Sequence, residues 1–213
     1  NKARQRAACG TSRDFSANFS PAGTAKVADA VFFAVKTTIF SMQYLCLILS
    51  FAWLGFQPDG KIYFTNPSFE DTPRESASPL GWNSVTPGST PDILPGPWGV
   101  QHKAQDGATC LGLVSREDGT SEDVTQALPG MLKAGTCYTF TLYLSHAKRY
   151  AGYNLPVRLR VWGGAGRDGR DQLLATSPLI DHEDWRVYKF QFIPNRDMRV
   201  ITFEAHYGPG VFK

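Results

Sequence analysis

From Tyr138 to Leu144 the chain alternates in steps of two: Tyr138, Phe140, Leu142 and Leu144 fall on one side of an extended backbone, and Thr139, Thr141 and Tyr143 on the other. Successive side chains point to opposite faces only in a β-strand, so this rhythm predicts a strand with one face against a core. Val157 to Val161 repeats it, with Arg158 and Arg160 directed away from Val157, Leu159 and Val161. Val187 to Phe192 does so again, and Tyr188, Phe190 and Phe192 are its side to bury. Short apolar or alternating stretches predict nine strands: Ile62–Thr65, Trp98–Lys103, Cys110–Ser115, Glu122–Ala127, Cys137–Ser145, Val157–Trp162, Leu173–Leu179, Arg186–Ile193 and Arg199–His206. The 20 glycines and 14 prolines supply turns between them. No long amphipathic helix intervenes, so the pattern points to two packed antiparallel sheets rather than a parallel βαβ array. Burying a large side chain contributes about 1.5–3 kcal/mol. Phe140→Asp or Phe190→Asp is therefore expected to unfold the domain, and Arg158→Ala is not.

This β-patterned domain is expected over residues 61–213, and the sequence before it has a different character. Residues 1–41 show no sustained apolar period and predict no fold. Residues 42–57 contain Tyr44 to Phe56, thirteen residues without a charge, too short for a bilayer-crossing helix but matched to the apolar centre of a signal peptide. One reading starts translation at Met42 and leaves residues 1–41 as upstream sequence. Another takes Val31 to Phe56 as a membrane anchor, interrupted by Lys36, Thr37, Thr38, Ser41 and Gln43. Both export the domain, which is expected to be secreted or on the outer cell surface, meeting a membrane only through the leader.

With 22 basic against 19 acidic residues and a net charge of +3, no basic run follows a phosphate backbone, so nucleic acid is excluded as a partner. Cys9, Cys46, Cys110 and Cys137 have no CxxC spacing and no nearby His pair, which excludes a zinc site. Cys110 and Cys137 are either a disulfide or two small buried thiols. The proline-rich segment from Asp71 to Gly99 predicts a stiff loop laid over one end or face of the sandwich, covering an edge or touching a ligand.

The chain carries, in order, Asn66-Pro67-Ser68-Phe69-Glu70, Gly81-Trp82, Gly135-Thr136-Cys137-Tyr138-Thr139-Phe140, and Asp184-Trp185 through Phe192-Ile193-Pro194. These landmarks resemble carbohydrate-binding-module-like (galactose-binding-like) jelly-roll domains, in particular those of secreted and outer-surface proteins of gliding-type bacteria. The resemblance covers residues 62 to 207 and implies a jelly-roll sandwich. In such modules the Asn-x-x-Phe-Glu segment lies beside a structural calcium, and Glu70 is the matching oxygen ligand. The family closes with a further strand carrying an Asp after a Gly-Asn pair, whereas this sequence stops at Val211-Phe212-Lys213. A jelly roll lacking its last strand is therefore expected.

Sugar recognition requires exposed rings to stack on pyranose C–H groups and polar side chains to bind hydroxyls. Trp98, Tyr150, Tyr153 and Trp162, with Arg149 and Glu117, are the expected ligand-binding residues. Tyr143, Arg158, Arg160 and Asp118 are further candidates, and Trp82 is expected to be structural. No nucleophile elbow or zinc-protease helix occurs, His102, His146, His182 and His206 stand singly, and Glu117-Asp118, Glu122-Asp123 and Glu183-Asp184 are adjacent pairs that would point to opposite faces of a strand. The chain is thus expected to be a non-catalytic extracellular module that binds polysaccharide or surface glycan. The alternatives are a cell-surface adhesion or assembly module that binds protein, and an accessory domain of a secreted glycoside hydrolase or esterase.

Overall fold

In the computed structural model the alternating stretches form strands, joined among the described residues by turns and by a 3-10 turn at Pro97–Gly99. The described residues are 13–14 and 61–208 apart from Asn154. The expectations for the leader, the start site, Cys9, Cys46 and the last residues fall outside them. The strands are β1 (Arg13–Asp14), β2 (Asp92–Leu94), β3 (Cys110–Gly112), β4 (Asp123–Leu132), β5 (Tyr138–Leu144), β6 (Arg158–Gly164), β7 (Gln172–Thr176), β8 (Arg186–Phe192) and β9 (Met198–His206). Three sheets result: β4-β9-β6-β7, antiparallel throughout; β5-β8, antiparallel, with β1 running parallel beside β5; and the antiparallel pair β2-β3.

The alternation decides what each sheet buries. Phe140 stacks on Phe190, its direct neighbour across β5 and β8, with ring centroids 5.0 Å apart. From the four-stranded sheet, Val124, Val161, Ile201 and Phe203 meet them, and the Phe140 and Phe203 rings lie 6.1 Å apart. One core is thus shared by facing antiparallel sheets, and the all-β class follows. Tyr188, expected to be buried, remains half-exposed near the end of β8 and hydrogen-bonds His182.

Two expected strands do not form. Ile62–Thr65 has no strand partner, because the Gln126 amide takes the place of one: it accepts from the Thr65 N–H at 2.8 Å and donates to the Thr65 carbonyl at 2.8 Å. Phe64 still reaches the core, against Trp82 and Phe203. Trp98–Lys103 is interrupted at its start, where Gly96 has φ 116° and Trp98 φ 55°, left-handed conformations that no strand contains. β2 lies inside the proline-rich segment, held by β3 and by a bridge from Arg74 to Ile93. The rest of that segment crosses the domain and bridges Asn83 to Thr125. β7 ends at Thr176, where the Ser177 hydroxyl takes over by accepting from the Leu159 N–H. The glycine-rich Gly163 to Gly166 stretch leads into the β6–β7 hairpin turn. Cys137 is disulfide-bonded, but not to Cys110, which is a free thiol.

Candidate functional site

On the four-stranded sheet, the residues between the core-facing ones form a polar outer face. Register sets Asp123 opposite Glu204 and Thr125 opposite Thr202, then Glu204 opposite Arg160, Thr202 opposite Trp162 and His206 opposite Arg158. The strand period that sends Val124, Phe203 and Val161 inward sends these residues outward. Asp123 organises one end. Its Oδ1 accepts from the Ser84 hydroxyl at 2.8 Å, and its Oδ2 accepts from the Thr86 hydroxyl at 2.5 Å and from Arg170 Nη2 at 2.6 Å. Burial raises the Asp123 pKa, but the Thr86, Ser84 and Val85 hydrogen bonds and the Arg170 charge outweigh it, leaving it below the usual carboxylate value. Arg170 also donates from Nη1 to Glu204 Oε1 at 3.0 Å, and Trp162 Nε1 donates to Glu204 Oε2 at 2.7 Å, which fixes the half-buried indole. The loop bearing Arg170 folds onto the sheet because Gly169 has φ +61° and its missing Cβ would lie 2.6 Å from Thr202 Oγ1.

The β6 side of this face carries two arginines. Arg158 and Arg160 stand two apart on β6, and His206 lies opposite Arg158. The pKa of His206 is lowered by burial first and then by the Arg160 and Arg158 charges, with Glu204 acting against them.

A second region lies between the sheets. A cavity of about 160 Å3 is walled by Leu111 and Leu113 on one side and by Leu142 and Leu144 of β5 on the other, with Leu159, Phe203 and Ala205 also lining it. A cavity of about 100 Å3 shares Cys110, Leu111, Leu113, Ser145, Val157 and Trp185 with it. Leucines dominate the larger cavity, with Asp106, Thr109, Ser145 and Arg158 also at its wall, and His102, His146, Tyr150 and Tyr153 stand at the smaller one. Trp185 donates its Nε1–H to the Lys103 carbonyl at 2.9 Å, and its ring lies 5.2 Å from that of His102. His102 Nε2 is 3.1 Å from Ser145 Oγ, whose proton goes to the Glu183 carbonyl at 2.6 Å. The imidazole must then donate to Oγ, opposite to what a general base does for a nucleophile. Burial pushes the Cys110 thiol up to about 11, with the Glu70 charge adding to it.

Of the expected ligand residues, Tyr150 and Tyr153 meet at the smaller cavity, and Trp98, Arg149, Trp162 and Glu117 lie elsewhere. Trp162 is on the outer face. Tyr150 is buried, its hydroxyl donating to Asp92 Oδ2 at 2.5 Å; it passes over β3 only because Gly112 has no side chain, whose Cβ would lie 2.3 Å from that hydroxyl. Tyr153, 40% exposed, lines the smaller cavity with the Arg116 guanidinium 5.9 Å from its ring centroid. Glu117 is exposed in the turn beyond Arg116, near enough to Tyr207 to raise its phenol, after burial, together with Tyr153. Trp98, 49% exposed, and the exposed Arg149 line neither cavity.

Glu122 and Asp123 do point to opposite faces, but both are buried rather than solvated. Glu122 accepts from Thr90, Arg116 and the Val114 N–H. Burial nonetheless holds its pKa above the usual range. Sequence reading missed the roles of Asp92, Asp123, Arg170 and Glu204, for which spacing gives no signal: Tyr150 and Asp92 are 58 residues apart, Arg170 and Asp123 47, and Arg170 and Glu204 34.

Glu70 tests the calcium expectation. Its Oε1 accepts from the Ala108 N–H at 3.0 Å and the Thr109 N–H at 3.3 Å, while the Asn66 side chain bridges the Glu70 N–H and carbonyl. N–H donors present positive ends to the carboxylate where a calcium would need six to eight oxygens. Among the described residues, no group of three or more His, Cys, Asp or Glu is placed to hold a metal ion. Through these hydrogen bonds Glu70 clamps the backbone at Ala108 and Thr109. No family model matches the chain, and no curated protein is significantly similar to it.

Proposed function

We propose that the domain is a non-catalytic extracellular module that binds carbohydrate through the outer face of its four-stranded sheet. The observation that carries this reading is Trp162, a half-buried ring on a face that is otherwise polar, immobilised by Glu204 and preceded along its own strand by two arginines. An aromatic surface held rigid loses little entropy on stacking against a sugar ring, and guanidinium groups beside it supply fixed donors for hydroxyls or carboxylates. The proton direction at Ser145 supports a binding role over hydrolysis. The jelly-roll reading is supported by the facing sheets.

Affinity-gel retardation and calorimetry against a panel of plant, fungal and bacterial polysaccharides test this. Wild-type protein should bind at least one of them, and Trp162→Ala should weaken that binding about tenfold to a hundredfold with its circular dichroism unchanged. A flat panel for the wild type would remove the reading, leaving the cell-surface adhesion alternative to be pursued by pull-down.

A further inference from the structure

We infer that the arginine-bearing part of the outer face, formed by Arg158, Arg160 and His206 beside Trp162, binds the carboxylate of a uronic-acid residue in an acidic polysaccharide. This rests on the glycan reading above and narrows it to a substrate class.

Charge on this surface is only partly matched, Arg160 and Glu204 forming a long ion pair. Residues two apart on a strand share a face at about 6.5–7 Å, so Arg158 and Arg160 stand side by side. Directly opposed residues on paired strands have Cβ atoms about 4.5–5.5 Å apart, which brings His206 against Arg158 and Glu204 against Arg160. Glu204 is the acid within reach, and its oxygens are already committed: Oε1 to Arg170 and Oε2 to Trp162. Arg160 approaches Glu204 only to 3.9 Å, beyond hydrogen-bond distance. Arg158 places one donor, Nη1, on the Ser177 carbonyl at 3.2 Å. Two guanidinium forks thus lie together on a half-buried surface with most of their donors unspent.

Like charges held this close repel, and an anion that entered between them would relieve the repulsion and take up bidentate hydrogen bonds. The ring of Trp162, two residues beyond Arg160 on the same face, lies where the pyranose ring bearing that carboxylate would stack. Asp123 lies across β9 from Arg160, with Glu204 between them, so the face is polarised across its strands, and an acidic sugar has one favoured way to lie on it.

Calorimetry with oligomers of polygalacturonate and of alginate, each beside its carboxyl-reduced form and with dextran sulfate as a third arm, tests this at about 0.15 M salt, where long-range attraction is screened. The acidic oligomers should bind at least about tenfold more tightly than their reduced forms, and Arg158→Gln combined with Arg160→Gln should abolish that difference. The double lysine variant keeps the charge but not the fork and should recover only part of it. Equal binding of acidic and reduced oligomers would overturn the inference and leave the glycan reading standing. So would dextran sulfate binding as tightly as the uronates, or a preference that survives in the double Gln variant. Failure of every polymer would remove both. If the Gln pair did not fold, the wild-type comparison of acidic with reduced oligomer would still decide.

Discussion

On β9, Phe203 and Glu204 are neighbours in sequence and belong to different worlds. Phe203 borders the larger cavity and packs against Phe64, Trp82 and Phe140. Glu204 faces out, where every oxygen has a named partner. The cleft side depends on shape and area, which many apolar side chains supply interchangeably. The outer side depends on particular donors and acceptors at fixed separations, which few substitutions preserve. Under the proposed glycan reading, ligand discrimination belongs on the outer face, and stability mainly on the inner one.

The sharpest way to break that division is to alter each side in turn. Phe203→Ala should cost about 3–5 kcal/mol, the range for emptying a well-packed aromatic site, read as a lower urea midpoint. Glycan affinity of the fraction that remains folded should be unchanged. Loss of affinity without loss of stability would mean that the cleft, not the outer face, is the binding site. The cleft can also be probed chemically through Cys110. With its pKa pushed up to about 11, very little thiolate exists at pH 8, and alkylation followed by mass spectrometry should run about a hundredfold slower than for an ordinary cysteine. An ordinary rate would show that the cleft is open to water.

Asp123 tests the other side. Asp123→Asn leaves Arg170 facing an amide, and because that guanidinium is partly solvated the cost should be about 2 kcal/mol rather than the full penalty of a buried unpaired charge. The pH dependence has a definite sign. The folded-state pKa lies below the ordinary value of 3.8, so the unfolded chain takes up its proton first on acidification. The contribution of Asp123 is complete above that value and disappears as pH falls through the folded one. Urea titrations from neutral pH downwards should show a shallower acid limb in Asp123→Asn; identical limbs would mean that Arg170 and Thr86 do not hold the carboxylate.

The same contrast explains what could be read in advance. β5 and β8 were legible because each keeps one apolar side, and parity alone placed Arg158 and Arg160 away from the core. Parity gives no register, however, so nothing in the sequence set His206 against Arg158 or Glu204 against Arg160. Tyr150 looked available for a ligand because its burial depends on Gly112 and Asp92, far along the chain. β2, three residues between prolines, is too short to show a period. Ile62 to Thr65 has the composition of a strand, but the Gln126 side chain occupies the position of a partner strand, and composition does not register that.

Glu70 carries the smallest expected effect and distinguishes two uses of one carboxylate. As a clamp, it holds the backbone at Ala108 and Thr109, and the missing side chain of Gly107 makes room for it, since a Cβ there would lie 2.0 Å from Oε1. Glu70→Gln keeps one acceptor but turns an amide nitrogen toward a donor, at a cost of about 1 kcal/mol, or roughly 2–4 °C in the melting temperature. Under the clamp, that loss should be the same in calcium as in chelator, and wild-type melting should move by less than about 1 °C between them. A calcium ligand behaves otherwise: added calcium would raise the wild-type melting temperature in proportion to occupancy, and Glu70→Gln would erase the rise. Thermal scans of both proteins in both buffers separate the two, because the clamp predicts additivity between mutation and chelation, whereas a metal site makes each effect depend on the other.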